Sequence, residues 1–177
     1  MKRLTKFINI ALLVFVTGSI WAAPLSTPKG ILVLQPRPAP ALKLKDMDDN
    51  VYDLSVAQGR WKFVHFWASW CGPCREEMPS IQRMVERMQG SSLEIVLINV
   101  AESEDAVFSF LAGVAPDINS LLDTDGLATE QWKPRGLPST YLVDPQGNIR
   151  YVAIGGRAWD KKDYIDFLHA LLAQSDK

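Results

Sequence analysis

His65-Phe66-Trp67-Ala68-Ser69-Trp70-Cys71-Gly72-Pro73-Cys74-Arg75-Glu76-Glu77-Met78-Pro79 joins two hydrophobic patterns at a pair of cysteines. Upstream, Lys62 to Trp67 is a mostly apolar run of β-formers, which suits a strand buried on both faces. Downstream, Met78, Ile81, Val85 and Met88 recur at helical spacing, with Glu76, Arg83 and Arg87 elsewhere on the surface. The helix starts near Gly72. Pro73 fits a first-turn position, where its missing N–H costs nothing, and Glu76 and Glu77 suit the positive helix end. Pro79 predicts a kink. A C-x-x-C at such a strand-to-helix junction is a redox arrangement. The helix N-terminus stabilises negative charge, so Cys71 gains thiolate character and attacks a disulfide; Cys74, one turn further in, resolves the mixed disulfide. A zinc site is the competing use of the pair, but zinc takes four ligands and the other soft candidates are His65 and His169, so no metal is expected.

Working outward, Leu93 to Val100 is a second buried strand, Glu104 to Ala112 a helix, and Gly126 to Trp132 a short helix before the breakers Pro134 and Gly136. Thr140 to Val143 and Ile149 to Ile154 bracket Asp144-Pro145-Gln146-Gly147-Asn148, a hairpin turn. Asp160 is placed to cap a last helix with Tyr164, Leu168, Leu171 and Leu172 on its apolar stripe. Near the start, Ala41 to Lys45 and Val51 to Leu54 flank Asp48-Asp49-Asn50 as a further hairpin. This order predicts an α/β fold, a mixed central sheet covered by helices. Pro24, Pro28, Pro36, Pro38 and Pro40 mark residues 24–40 as an extended linker, which leaves 41–177 as the domain.

Residues 1–23 have a different character. Lys2, Arg3 and Lys6 precede the apolar run Phe7 to Val16, and small residues close the segment at Ala22 and Ala23. This is the pattern of a secretory signal; the stretch 7–23, if retained, would serve as a membrane anchor. Both readings place the domain outside the cytoplasm, with the periplasm expected: soluble after cleavage, or tethered to the inner membrane by residues 7–23. Export carries the cysteines into an oxidising environment, yet a disulfide across so small a loop constrains little of the unfolded chain, so a structural staple explains the pair poorly. The net charge of −1 gives no electrostatic footprint for nucleic acid.

The quoted stretch resembles the active-site signature of the TlpA/ResA-like branch of the thioredoxin superfamily, and Gly136-Leu137-Pro138-Ser139-Thr140-Tyr141-Leu142-Val143-Asp144 resembles that branch's second signature. The similarity runs over residues 41–172. It implies a thioredoxin fold with an N-terminal β-hairpin extension and a cis-Pro138 facing the cysteines. The Leu137 backbone, Trp70 and the Gly72–Pro73 spacer would then lie along the docking surface for protein or peptide thiol and disulfide substrates. Glu77 matches an acidic residue thought to assist proton transfer; the competing reading is a first-turn carboxylate serving the helix dipole. His65 departs from the branch, which often carries Asn where thioredoxins carry a buried Asp. It is either a proton relay to Cys74 or a satisfied core histidine.

The resemblance further implies an enzyme with no cofactor beyond the Cys71–Cys74 disulfide; with no obvious dimerisation extension in the chain, a monomer is the default expectation. It would act as a protein-disulfide reductase kept reduced by a membrane thiol–disulfide transporter, as the Gly–Pro spacer of thioredoxin also suggests. Disulfide oxidation or isomerisation is the alternative direction, and a non-catalytic peptide-binding module is the alternative class. Reduction of apocytochrome c is one task of the branch. Its dedicated subgroup carries Gly-Val-Tyr-Gly-Ala-Pro-Glu around the proline, where this chain has Pro134-Arg135-Gly136-Leu137-Pro138-Ser139.

Overall fold

In chain order the elements are β1 (Ile31–Pro38), β2 (Lys43–Asp46), β3 (Val51–Asp53), β4 (Lys62–Trp67), α1 (Gly72–Arg87), β5 (Glu94–Val100), α2 (Glu104–Val114), β6 (Leu121–Asp123), α3 (Leu127–Trp132), β7 (Ser139–Val143), β8 (Asn148–Ile154) and α4 (Lys162–Ser175). They belong to a computed structural model that describes residues 25–56 and 59–175. The leader expected at 1–23 lies outside those residues. No helix among the described residues is long and apolar enough to cross a membrane.

Every residue of β4 is buried, as its mostly apolar run predicts, and the two polar members Lys62 and His65 are buried with the rest. It lies inside one mixed sheet of order β1-β8-β7-β4-β5-β6-β2-β3. The β4–β5 and β5–β6 pairs are parallel, while β4–β7, β7–β8, β8–β1, β6–β2 and β2–β3 are antiparallel. Alternation along β4 divides the core between the two sheet faces. Phe63 and Trp67 join Cys74, Met78, Ile81 and Met84 of α1, together with Val107 and Leu111 of α2 and Phe167, Leu168, Leu171 and Leu172 of α4. Val64 and Phe66 join Ala128 and Trp132 of α3 on the other face. Edge-on contact between Phe63 and Trp159, with centroids 4.7 Å apart, ties the loop before α4 into the first face.

The predicted hairpins form. Lys43 pairs with Asp53 and Lys45 with Val51 in the first. In the second, the Asp144 carboxylate accepts from the N–H of Gln146 (3.1 Å) and of Asn148 (2.8 Å), and Gly147 takes the left-handed φ of 83° that the turn needs.

Three features depart from expectation. The proline-rich segment is extended but is no free linker: Ile31–Pro38 pairs with β8 as an edge strand, with a register shift between Val33 and Arg37. An edge strand has one unpaired side, so prolines that cannot donate are tolerated there. Leu121–Asp123, too short to show a period, forms β6 and carries the β2–β3 hairpin into the sheet. Asp160 does not cap α4; its carboxylate accepts from Arg83 Nε at 2.6 Å, and the first α4 bonds run to the Lys161 carbonyl.

The N-cap of α3 is Gly126, which has no side chain to satisfy the first helical N–H groups. Asp123, fully buried at the end of β6, does so from outside the helix. Its carboxylate accepts from Ala128 N (3.0 Å), Thr129 N (2.8 Å) and the Thr129 hydroxyl (2.5 Å). Asp123→Ala is expected to destabilise the fold by about 2 kcal/mol, since it leaves buried donors unpaired. Urea unfolding measures this, and an unchanged midpoint would contradict the assigned role.

Candidate redox site

Where β4 ends, the chain turns through Ala68–Trp70 and enters α1 with Cys71 as its N-cap, at φ −83° and ψ 111°. The Cys71 Sγ accepts from the Cys74 N–H at 3.3 Å, and the Cys71 carbonyl accepts the first helical bond from Arg75 N at 3.0 Å. Pro73 falls in the first turn, as its fixed φ favours. Cys71 and Cys74 are joined as a disulfide with Cα atoms 5.2 Å apart. Cys71 retains 6% exposure and Cys74 none, so an approaching group meets Cys71 first. The N–H that now faces Cys71 Sγ would stabilise a thiolate there once the bond is opened.

The Leu137–Pro138 peptide is cis. The antiparallel register that pairs Phe66 with Ser139 sets Pro138 beside the end of β4, just before the cysteines. The Pro138 carbonyl accepts from Gly155 N at 2.8 Å, and the Ser139 hydroxyl donates to the Gly136 carbonyl at 2.6 Å, so the loop is held on both sides. Leu137 is half-buried, while Gly72 and Pro73 are exposed. Trp70, 65% exposed, stands on the turn into Cys71.

Beneath the disulfide, alternation turns His65 to the same face as Phe63 and Trp67, toward α1. Its ring is fully buried and stacks on Phe63 with centroids 5.9 Å apart. Nδ1 lies 2.9 Å from the Thr140 hydroxyl, and Nε2 lies 3.2 Å from Glu77 Oε1, within ion-pair reach but off hydrogen-bond alignment. Glu77 belongs to the second turn of α1, one turn below Cys74. It is 3% exposed, which removes the first-turn dipole reading. Its second oxygen accepts from the Arg157 N–H at 2.8 Å.

Arg157 and its loop gave no signal beyond a glycine pair after a strand. The loop presses on the site: a Cβ at Gly156 would lie 3.0 Å from the Pro73 carbonyl oxygen. The Arg157 guanidinium donates to the carbonyls of Gly30, Ile154 and Gly155 and lies 5.2 Å above the Trp159 ring. Thr140 had no role assigned within the second signature, and Ser80 carried no signal; the Ser80 hydroxyl links the Glu77 carbonyl (2.7 Å) to the Trp159 N–H (3.1 Å). Among the described residues no group of three or more His, Cys, Asp or Glu side chains is arranged to hold a metal.

The profile of the AhpC/TSA family matches residues 36–152. The chain is 32% identical over 117 residues to the thiol-disulfide oxidoreductase ResA of Bacillus subtilis, a match covering 66% of this chain and 65% of that protein. It is 30% identical over 145 residues to the thiol:disulfide interchange protein DsbE of Pseudomonas aeruginosa, covering 80% of this chain and 77% of that one. The crystal structure of StoA from Bacillus subtilis superimposes with a TM-score of 0.63 at 21% identity over 72% of this chain and 97% of that one, a likeness of fold. A profile match that runs from within β1 through most of β8, and so takes in both the cysteine pair and the cis-proline, makes this chain a member of the AhpC/TSA family with the thioredoxin fold.

Proposed function

We propose that the chain is an exported thiol–disulfide oxidoreductase that reduces disulfides in protein substrates. The observation that carries this reading is the disulfide itself: a closed Cys71–Cys74 pair at a helix N-cap, in which Cys71 keeps 6% exposure and Cys74 none. Similarity to the proteins named ResA and DsbE supports it, and the leader-like residues 1–23 support a location outside the cytoplasm.

In the working direction the reduced Cys71 thiolate attacks one sulfur of a substrate disulfide. A mixed disulfide forms and the first substrate thiolate leaves. Cys74 then gives up its proton and attacks Cys71 Sγ, which restores the Cys71–Cys74 disulfide and releases the second substrate thiolate. The substrate gains two electrons and the chain loses two. A dithiol donor, by our reading a membrane thiol–disulfide transporter, reverses that change. Trp70, Leu137 and the Gly72–Pro73 spacer lie around Cys71, the outer cysteine of the pair, and an extended substrate segment pairs with the backbone beside Pro138.

Glu77 and His65 supply the proton acceptor for Cys74. His65 Nε2 and Glu77 Oε1 lie 3.2 Å apart, both buried and neither in an aligned hydrogen bond, so an acceptor position is open there to the proton that leaves Cys74. Both readings of His65 thereby merge: Thr140 satisfies one nitrogen, and the other faces the carboxylate.

Cys74→Ala removes the resolving thiol, and the variant is expected to accumulate a mixed disulfide at Cys71. Mass spectrometry of trapped adducts identifies the substrates; insulin left unreduced by the wild-type dithiol would reject the catalytic reading. Glu77→Gln is expected to slow release of the second substrate thiol about 100-fold at neutral pH, a typical general-base contribution, with the deficit shrinking as hydroxide takes over at higher pH. Rapid-quench measurement of the mixed-disulfide lifetime checks this, and an unchanged lifetime removes Glu77 from the proton path. His65→Asn is expected to move the thiol titration to higher pH, and an identical titration curve leaves His65 with a packing role alone.

A further inference from the structure

Ser69 and Trp70 form a turn without regular secondary structure, yet Trp70 carries the large exposed ring next to the nucleophile. A turn of this kind is free to move unless side chains from elsewhere hold it. Ser69 is held on every polar atom. Its N–H donates to Glu102 Oε2 at 2.7 Å, and its hydroxyl donates to the other oxygen of the same carboxylate. Its carbonyl accepts from Arg75 Nη1 at 3.1 Å, and that guanidinium lies 5.0 Å above the Phe110 ring.

Glu102 is itself fixed. The fully buried Asn99 of β5 donates its Nδ2 to Glu102 Oε2 at 2.7 Å. Ala101, one residue before, adopts a left-handed φ of 56° that a non-glycine residue rarely takes. Its N–H is held by the Asp123 carbonyl at 3.0 Å. This bend at the end of β5 turns the Glu102 side chain toward the β4–α1 junction. A half-buried carboxylate, a strained residue and a buried amide thus converge on one residue of the redox turn.

We propose that Glu102 is the positioning residue of this turn: it fixes Ser69 so that Trp70 stands beside Cys71 as a preorganised contact for the polypeptide that flanks a substrate disulfide. The inference rests on the oxidoreductase reading. A Trp70 that has to be ordered at each encounter weakens docking of a protein substrate, whereas a small aromatic disulfide needs only the sulfur.

The test compares kcat and KM of the full chain for insulin with those for a small aromatic disulfide, dithionitrobenzoate, in wild type, Glu102→Ala, Glu102→Gln, Trp70→Ala and the Glu102→Ala/Trp70→Ala double variant. Glu102→Ala is expected to raise KM for insulin about tenfold relative to KM for the small disulfide, with a smaller change in kcat. Glu102→Gln keeps a carbonyl acceptor for the Ser69 N–H and is expected to recover most of that loss. In the Trp70→Ala background, Glu102→Ala is expected to add nothing. The proposal is overturned if the two losses add in the double variant, if both substrates suffer equally, or if Glu102→Gln is as impaired as Glu102→Ala, which would assign the effect to charge. Circular dichroism confirms folding. Should Glu102→Ala fail to fold, Glu102→Asp, which keeps the charge but shortens the reach to Ser69, carries the test. The same selective rise in KM for insulin is expected, and a wild-type KM there overturns the proposal. A wild-type chain that reduces neither substrate would overturn the oxidoreductase reading itself.

Discussion

A strand buried on both faces that feeds directly into a helix N-cap is the constraint on which the rest depends. Burying Phe63, Val64, Phe66 and Trp67 of β4 stabilises the fold by about 1.5–3 kcal/mol for each side chain. A one-residue slip of the register would send each of them to the wrong face. The end of β4 is therefore fixed in space, and Cys71 with it. Partners on both sides, β5 in parallel and β7 in antiparallel register, make the fixing mutual. The antiparallel partner also delivers Pro138 to the same place.

That rigidity has a consequence below the sulfurs. The alternation that buries Phe63 and Trp67 also buries His65, and α1 turns Glu77 inward to meet it. Burial of an imidazole and a carboxylate is unfavourable unless their polar atoms find partners. Thr140 and the Arg157 N–H supply two, and the remaining His65 Nε2 and Glu77 Oε1 face each other. Apolar side chains of similar size would fill this space with less penalty. It is on these two facing groups that the proposed proton transfer from Cys74 rests. The Arg157 loop then closes the structure: it binds Glu77, packs Gly156 on Pro73, and reaches the Gly30 carbonyl at the start of β1.

Legibility from sequence followed pattern length. The β4–α1 junction, the Asp144–Asn148 hairpin and the apolar stripe of α1 carried enough residues in period to be read directly. The strand β6 has three residues and no period, and β1 ends in Pro36 and Pro38 within a proline-rich stretch that points to an unpaired segment. Only the sheet edge makes β1 permissible. At the site, the two cysteines and Pro138 stood out by local spacing and signature. Glu77 and His65 were singled out separately, but their contact depends on the distance between a strand and a helix, which no local pattern encodes. Thr140 sits within the second signature but reaches His65 through one hydroxyl, while Glu102 and Arg157 meet the site through contacts far along the chain, and nothing in the neighbourhoods of those two marked them.

The direction of electron flow is the central claim, and the reduction potential of the Cys71–Cys74 couple tests it most directly. Equilibration of the purified chain with dithiothreitol or glutathione buffers, read by thiol alkylation, gives that value. A reductant with the thioredoxin spacer is expected near thioredoxin's about −270 mV. A value near the roughly −120 mV of the strong oxidant DsbA would contradict the account and make the chain a donor of disulfides.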